Sequence, residues 1–339
     1  MIVPAYNASG TLAACIESIR SQSMDHHELI VVDDCSEDGT AELAEKLHVI
    51  VVRSSNRGGP ASARNAGAAR ATGEVLLFLD SDVTVPDDLL VRIDYIFRSK
   101  GDISAVQTIY SPCCASGDLV SVYQNFYYHH ALAHLHTRSV AIFATWCAAI
   151  RRKDFFEAGG FNTRIPEPTV EDEELGYSLA DAGKKIYLAR EIMVTHLAQY
   201  TLGQFARRRY RMAKAQAKSG WRSVRDRLLR RYINIRETGT HHSRWVVLSI
   251  LLVMMAGLLM LSAAGTLAAG WTGWRFLAPA ALVSLVLSLS CHLRFFRSAA
   301  SHLGKGVIPG FILMSILDMA VLGCGIVAGS FRFAMGERY

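Results

Sequence analysis

The 339-residue sequence contains no Cys-x-x-Cys pair among its seven cysteines, so neither a zinc site nor a disulfide framework is indicated. The odd count, with Cys113 and Cys114 adjacent, fits a reducing compartment. No Gly-x-Gly-x-x-Gly follows the first apolar run and no P-loop occurs. Nucleotide binding would therefore use carboxylates and a cation rather than a glycine-rich phosphate cradle. Met1-Ile2-Val3-Pro4 lacks the basic start, apolar core and cleavage site of a signal peptide. Charge is sparse, at 19% of residues against 51% hydrophobic. The length allows one large domain plus something smaller. The apolar excess sits after Arg244, which points to a membrane part, and the basic residues behind the net charge of +6 crowd between Arg207 and Arg244.

What is present begins with alternating strands and helices. Ile2-Val3 reads as the tail of a strand, either short or preceded by a misplaced start codon. Residues 10–20 carry Leu12, Ile16 and Ile19 at helical spacing. Strands follow at 29–32, 49–52 and 75–79, with helices at 41–47 and 61–71 between them. Pro86 opens another helix, with Asp87 and Asp88 in its first turn. This alternation predicts an α/β fold around a mainly parallel sheet with helices on both faces. Further along, the pattern predicts a strand at 103–109, an aromatic and histidine-rich helix at 118–136, a helix at 169–182 ended by Gly183, and two short strands at 186–188 and 192–195. His130 and His134 could share a helical face as metal ligands do, but no carboxylate or cysteine accompanies them. A helix lying against substrate or membrane surface is the favoured reading.

Two acidic motifs stand out. The apolar run Val75 to Leu79 ends in Asp80-Ser81-Asp82. Two carboxylates so close are costly to hold ionised without a cation between them. Their hard oxygens suit Mg²⁺ or Mn²⁺ bound together with a substrate diphosphate. The motif alone leaves a solvated turn equally open. Thr169-Val170-Glu171-Asp172-Glu173-Glu174 is the second motif. By spacing, Thr169 and the acids cap a helix. The rival reading makes one acid a general base facing a cleft, and four consecutive acids exceed what capping needs.

Residues 204–231 interleave arginine and lysine with Phe205, Tyr210, Met212, Trp221, Val224, Leu228 and Leu229. The pattern predicts helices in the lipid headgroup plane and is preferred to a nucleic-acid groove, because uncharged runs adjoin it. Those runs, 245–269, 276–293 and 307–331, are three candidate transmembrane helices. Asp318 in the third calls for a polar partner or cavity. Arg294, Arg297 and Lys305 place the 294–306 loop and the N-terminal domain in the cytoplasm, with the C-terminus outside. The domain reading is 1–200 catalytic, 201–244 interfacial and 245–339 membrane.

Several signals coincide in order: Val3-Pro4-Ala5-Tyr6-Asn7; Val31-Val32-Asp33-Asp34-Cys35-Ser36 with Asp38-Gly39-Thr40; Ala63-Arg64-Asn65-Ala66-Gly67; Gly73-Glu74 leading to Asp80-Ser81-Asp82; Gly159-Gly160-Phe161-Asn162; and Glu171-Asp172. Together they resemble the family 2 glycosyltransferases with a GT-A fold, over roughly residues 1–200. The resemblance implies a donor site of Pro4, Tyr6, Asp33, Asp34, Arg64, Asp80 and Ser81. Pro4, Tyr6 and Asp34 would surround the nucleotide base, with Asp33 nearby. Asp80 and Asp82 match the family's Asp-x-Asp, Asp80 towards the ribose and Asp82 on Mg²⁺ or Mn²⁺. Asp172 matches the catalytic base. His196 falls near the metal or diphosphate. Gln204, Arg207 and Arg208 fall where polymerising relatives carry Gln-x-x-Arg-Trp. Arginine here replaces the tryptophan, which counts against processive polymer synthesis.

The activity so implied is inverting, metal-dependent transfer from a nucleotide-sugar, UDP favoured, to a hydroxyl on a lipid-linked saccharide at the cytoplasmic membrane face. Its setting would be cell-envelope or exopolysaccharide synthesis. The alternatives are a processive synthase, a polyprenyl-phosphate transferase and a silent membrane scaffold.

Overall fold

The computed structural model describes residues 1–24, 26–165, 169–225 and 244–337, with side chains 223–225 outside the description. The basic residues Arg227, Arg230 and Arg231, and Arg338, therefore lie outside the described residues. The chain runs β1 (Ile2–Ala5), α1 (Leu12–Arg20), β2 (Ile30–Asp33), α2 (Thr40–Lys46), β3 (Ile50–Arg53), α3 (Gly59–Arg70), β4 (Val75–Leu79), β5 (Val83–Thr84) and α4 (Leu89–Ser99). It continues through β6 (Ala105–Tyr110), α5 (Leu119–Ala133), β7 (Ser139–Val140), β8 (Cys147–Arg151), α6 (Arg152–Glu157), α7 (Glu171–Asp181), β9 (Ile186–His196) and α8 (Leu202–Arg225). Four more helices follow: α9 (Arg244–Ala268), α10 (Trp274–Ser290), α11 (Leu293–Leu303) and α12 (Ile308–Ala334).

The sheet order is β3-β2-β1-β4-β8-β6-β9-β5, with β7 beside β9. β1 to β4 are mutually parallel, whereas β8 lies antiparallel between β4 and β6. The near-continuous apolar strands are explained by burial on both faces. One face carries Leu12, Ile16 and Ile19 of α1 and Ile93 and Phe97 of α4. The other carries α3 and α7, with Phe78 of β4 in ring contact with Phe143, Phe155 and Phe161. Close approaches require glycine at several positions, Gly67 and Gly176 among them. A Cβ at Gly67 would stand 2.4 Å from Ile2, and one at Gly176 would stand 2.4 Å from the Ala141 carbonyl oxygen.

The first core crosses the expected boundary at residue 200. Tyr123, Phe126 and Tyr127 of α5 share it with Phe205 of α8, Phe295 and Phe296 of α11, and Phe311 and Met314 of α12. The aromatic helix thus lies against the chain's own C-terminal helices. Asp318, fully buried, has the polar partner its position demands: Arg209 Nε and Nη2 donate to it at 2.5 and 2.6 Å, and Tyr123 Oη at 3.2 Å.

Several local expectations are corrected. The two short strands after residue 185 are one strand, β9, whose register against β6 shifts opposite Thr108 and Ile109. The 294–306 loop is mostly helix α11, because Phe295, Phe296 and Ala299 form an apolar face that packs inward. The run 276–293 ends as a 17-residue helix, α10, bent 56° from α11. Among the described residues, two helices are long and apolar enough to cross a membrane, three if the bent pair counts as one span. α7 starts after Val170 with no side-chain cap, so Thr169 does not cap it.

Gly176→Ala should lower the thermal midpoint in detergent, since its new methyl meets backbone and overpacking costs about 1–3 kcal/mol. Gly220→Ala, with nothing within 4 Å of the added methyl, should raise it, by roughly 0.5–1 kcal/mol of helix propensity. Equal midpoints for the two variants would contradict this packing.

Candidate active site

β4 ends at Leu79, and the chain turns through half-buried Asp80, Ser81 and Asp82 into β5. β5 pairs antiparallel with the end of β9, with Val83 opposite His196. That register brings His196 Nε2 to 3.4 Å from Asp82 Oδ2. The His196 ring is buried between Tyr110 and Tyr200, with centroids at 5.2 and 5.8 Å. Burial pushes the Asp82 carboxyl up, but the hydrogen bond and charge of His196, with Arg208, hold it below the ordinary range.

Arg64, on α3 and 4% exposed, joins the two acidic motifs. Its Nη2 meets Asp80 at 2.8 Å and its Nη1 meets Glu171 at 3.0 Å. Burial works against its charge, yet Asp80 and Glu171 raise its pKa above the ordinary value. A buried cation with one carboxylate removed would be left uncompensated.

The four acids of α7 diverge. Glu171 takes Arg64 and the Thr169 N–H. Glu173 accepts from Gln216 at 2.7 Å, and Glu174 accepts from Arg222 and from Asn162. Asp172 lines the cavity beside Glu171 and Glu173, its Oδ1 accepting from the Glu173 N–H at 2.8 Å. Burial, then the charges of Glu171 and Glu173, push its carboxyl well above the ordinary value, with Arg64 opposing. Burial also pushes Glu173 up, to about 7, against the pull of Gln216.

The cavity encloses about 120 Å³ and is lined by Arg64, Asp80, Asp172, His196 and Arg208 on its polar side. Tyr110, Tyr128, Trp146 and Met212 form an apolar wall, in which Trp146 stacks on Tyr110 at 4.7 Å. Arg208 reaches it from α8, bonded to Tyr200 Oη at 3.2 Å. Gln204 does something else: its Oε1 accepts from the N–H and hydroxyl of Thr201 at the start of α8. Arg207 is exposed and does not line the cavity.

The nucleotide-side residues sit at the neighbouring strand ends, outside that lining. Pro4 is in register with Val32. Tyr6 is 38% exposed and carries the Arg57 guanidinium 3.9 Å above its ring. Asp34 clamps the loop before α3, accepting from the Gly58 and Gly59 N–H groups at 2.9 and 2.8 Å. Asp33 receives the Ser36 N–H at 3.2 Å and keeps a buried Oδ1 without a partner.

Among the described residues no group of three or more His, Cys, Asp or Glu could hold a metal ion by itself. This includes His130 and His134, whose rings lie 4.2 Å apart, with His130 against Phe295. Asp80 and Asp82, with His196 beside Asp82, nevertheless fit a hard divalent cation, which commonly binds one or two carboxylates and takes its other ligands from phosphate and water. Sequence reasoning missed Glu171 as the partner of Arg64, and also Arg57, Tyr110, Trp146 and Tyr200. Only Glu171 had a local signal, its place beside Asp172.

Residues 1–158 match the family described as glycosyl transferase family 2. The succinoglycan biosynthesis protein ExoO of Rhizobium meliloti is 40% identical over 95 residues, 27% of each chain. The O-antigen chain rhamnosyltransferase RfbN of Salmonella typhimurium is 29% identical over 238 residues, 65% of this chain and 73% of that one. For several other curated relatives the matched stretch spans about a third of their length or less. Among solved structures, the mannosyltransferase PcManGT of Pyrobaculum calidifontis, in complex with GDP-Man and Mn²⁺, superposes with a TM-score of 0.60 at 18% identity. The superposition covers 98% of this chain and 86% of that one, a likeness of fold. With its ordered motifs on this mainly parallel sheet, the matched part, residues 1–158, is a glycosyl transferase family 2 domain, and the chain has the GT-A fold.

Proposed function

We propose that this protein transfers a sugar from a nucleotide-sugar, a UDP-sugar in the first instance, to a hydroxyl acceptor with inversion at the anomeric carbon. One observation carries the reading: a single cavity is lined by Asp80, Asp172, His196 and Arg208, and Arg64 ties its two acidic motifs together. Tyr6 offers a π face to the base, and the unpaired Asp33 Oδ1 can accept a base N–H. Asp34 holds the loop that carries Arg57. Asp82 and Asp80, with His196 adjacent, are the residues that would hold Mg²⁺ or Mn²⁺, and a bound cation would offset charge on the departing diphosphate. The GDP-Man and Mn²⁺ held together in the PcManGT complex support that donor class.

Asp172 takes the proton of the acceptor hydroxyl. The acceptor oxygen then bonds to the anomeric carbon as that carbon's bond to the donor phosphate oxygen breaks, and the electron pair leaves with the nucleoside diphosphate. Arg208 gives the diphosphate a charge-assisted hydrogen-bond donor. Arg64 acts on Asp172 as a positioning residue, through Glu171. A phosphate acceptor would need no base, so the raised carboxyl at Asp172 favours a hydroxyl. A lipid-linked saccharide at the cytoplasmic membrane face suits the apolar C-terminal helices and the O-antigen and succinoglycan names of the relatives.

Detergent-purified protein should release nucleoside diphosphate from one member of a panel of UDP- and GDP-sugars when a lipid-linked acceptor extract and Mn²⁺ or Mg²⁺ are present. Asp82→Asn should abolish that release. Failure with every donor, together with no metal-dependent nucleotide binding, would return the silent scaffold.

Asp172→Asn should lower kcat by on the order of 10²–10⁴-fold, the usual worth of a general base. The base works ionised, and its pKa lies above the ordinary carboxylate range. The rate should therefore fall as pH drops through that raised value and level off above it. Arg64→Met removes a cation that favours the ionised form, so the acid limb should move to higher pH. A limb that stays in place in this variant would exclude the Arg64 role.

A further inference from the structure

α8 and α12 lie side by side and run in the same direction. Arg209 pairs with Asp318; a Cβ on Gly325 would stand 2.7 Å from Ala213, and one on Gly329 2.3 Å from the Lys214 carbonyl oxygen. Trp221 Nε1 donates to Ser330 Oγ at 2.8 Å, and Lys218 reaches Glu337 at 2.8 Å. These contacts spread over residues 318–330 of α12, about 18 Å of its axis at 1.5 Å per residue. α8 is also fastened to the catalytic part, through Gln216 on Glu173 and Arg222 on Glu174. Arg208, next to Arg209, lines the catalytic cavity.

Length and composition make α12 a candidate span, but its surroundings conflict with crossing. Asp318 lies near the middle of its 27 residues. A hydrocarbon core about 30 Å thick centred there would take in Arg208, Arg211, Lys214 and the polar side of the active-site cavity. Charged groups at that depth are costly unless they face a protected interior, and Arg207 and Arg211 are exposed.

We propose that α12 does not cross the bilayer but lies in its interface, as a floor between the lipid and the helices α5 and α8. The inference rests on the membrane attachment proposed above and changes its geometry. Met314, Asp318, Leu322, Gly325 and Gly329 form the buried face. Leu313, Cys324, Val327 and Phe331 form an exposed stripe along the helix that lipid would cover, opposite the face packed on α8. The matching partner is a bilayer with anionic headgroups. Exposed Arg294, Arg297 and Lys305 supply charge complementarity. The apolar helix α9, which packs on α12 where Gly323 meets Met254 and Ile250, continues the same surface. The catalytic cavity then stands one helix away from the headgroups. The C-terminal end, where Glu337 bonds to α8, lies on the catalytic side, opposite to the side expected from the loop charges.

The test places a nitroxide on the full chain in phosphatidylcholine–phosphatidylglycerol vesicles, one site at a time: native Cys324, Leu313→Cys, Val327→Cys, Phe331→Cys, and Leu258→Cys at an exposed position of α9. Cys35, Cys113, Cys114 and Cys291 become serine, Cys324 likewise in the other single-site variants, and buried Cys15 and Cys147 stay. Relative collision with oxygen and with a nickel chelate reports depth. The four α12 labels should share one shallow depth, about 5–10 Å below the headgroups, with the α9 label deeper. Labels that pass through the midplane between 313 and 331, or a C-terminal tag protected from protease added on the catalytic side, would overturn the inference. Water-like collisions at all five sites would overturn it together with membrane attachment. Nucleoside diphosphate release from the same samples tests transfer separately.

Discussion

A buried guanidinium between two carboxylates sets this candidate active site. Arg64 takes Asp80 from the end of β4 and Glu171 from the start of α7, 107 residues further along the chain. Asp80, Asp82, Glu171, Asp172 and Glu173 would otherwise gather as like charges in a partly desolvated cleft, where each raises the pKa of the next. One cation satisfies Asp80 and Glu171, His196 and Arg208 hold Asp82 ionised, and Gln216 takes Glu173. Asp172 and Glu173 both keep raised carboxyls at the cavity, but Glu173 is held by Gln216, and Asp172 accepts only from the neighbouring Glu173 N–H among the hydrogen bonds described. A pair that breaks even in stability, as buried ion pairs often do, can still fix where the proposed base stands.

The same kind of bond recurs where the catalytic part meets the C-terminal helices. Arg209 and Asp318 are both buried, and the aromatic face of α5 packs around them, with Tyr123 in edge contact with Phe205, Phe295 and Phe311. Consecutive residues on α8 thus serve two purposes: Arg208 enters the cavity and Arg209 grips α12. The apolar helices are therefore continuous with the wall of the candidate site.

Much of this was legible in the sequence. An apolar run ending in carboxylates marks a strand delivering them to a sheet edge, and Asp80 and Asp82 stand there. Asp318, inside an uncharged run, demanded a polar partner and has one. Local reasoning failed where the partner is distant. The acids after Thr169 look like a helix cap because capping is a local pattern, yet each carboxylate answers to a residue far away or to the cavity. Gln204 shows the reverse, a position matched to a family motif whose side chain here is spent on Thr201 at the helix start. β5 and β7, two residues each, exist only through pairing with β9, so no periodicity reveals them. α11 was hidden by its arginines, which decorate the outer side of an amphipathic helix.

The central claim is that one carboxylate, Asp172, works as a base in a single displacement. The stereochemistry of the product tests it most directly. With the donor identified and its anomeric configuration known, the new glycosidic linkage is read from its anomeric proton–proton or carbon–proton coupling by NMR. The account predicts the configuration opposite to that of the donor. Retention would require a second nucleophile and a covalent intermediate, and would contradict it.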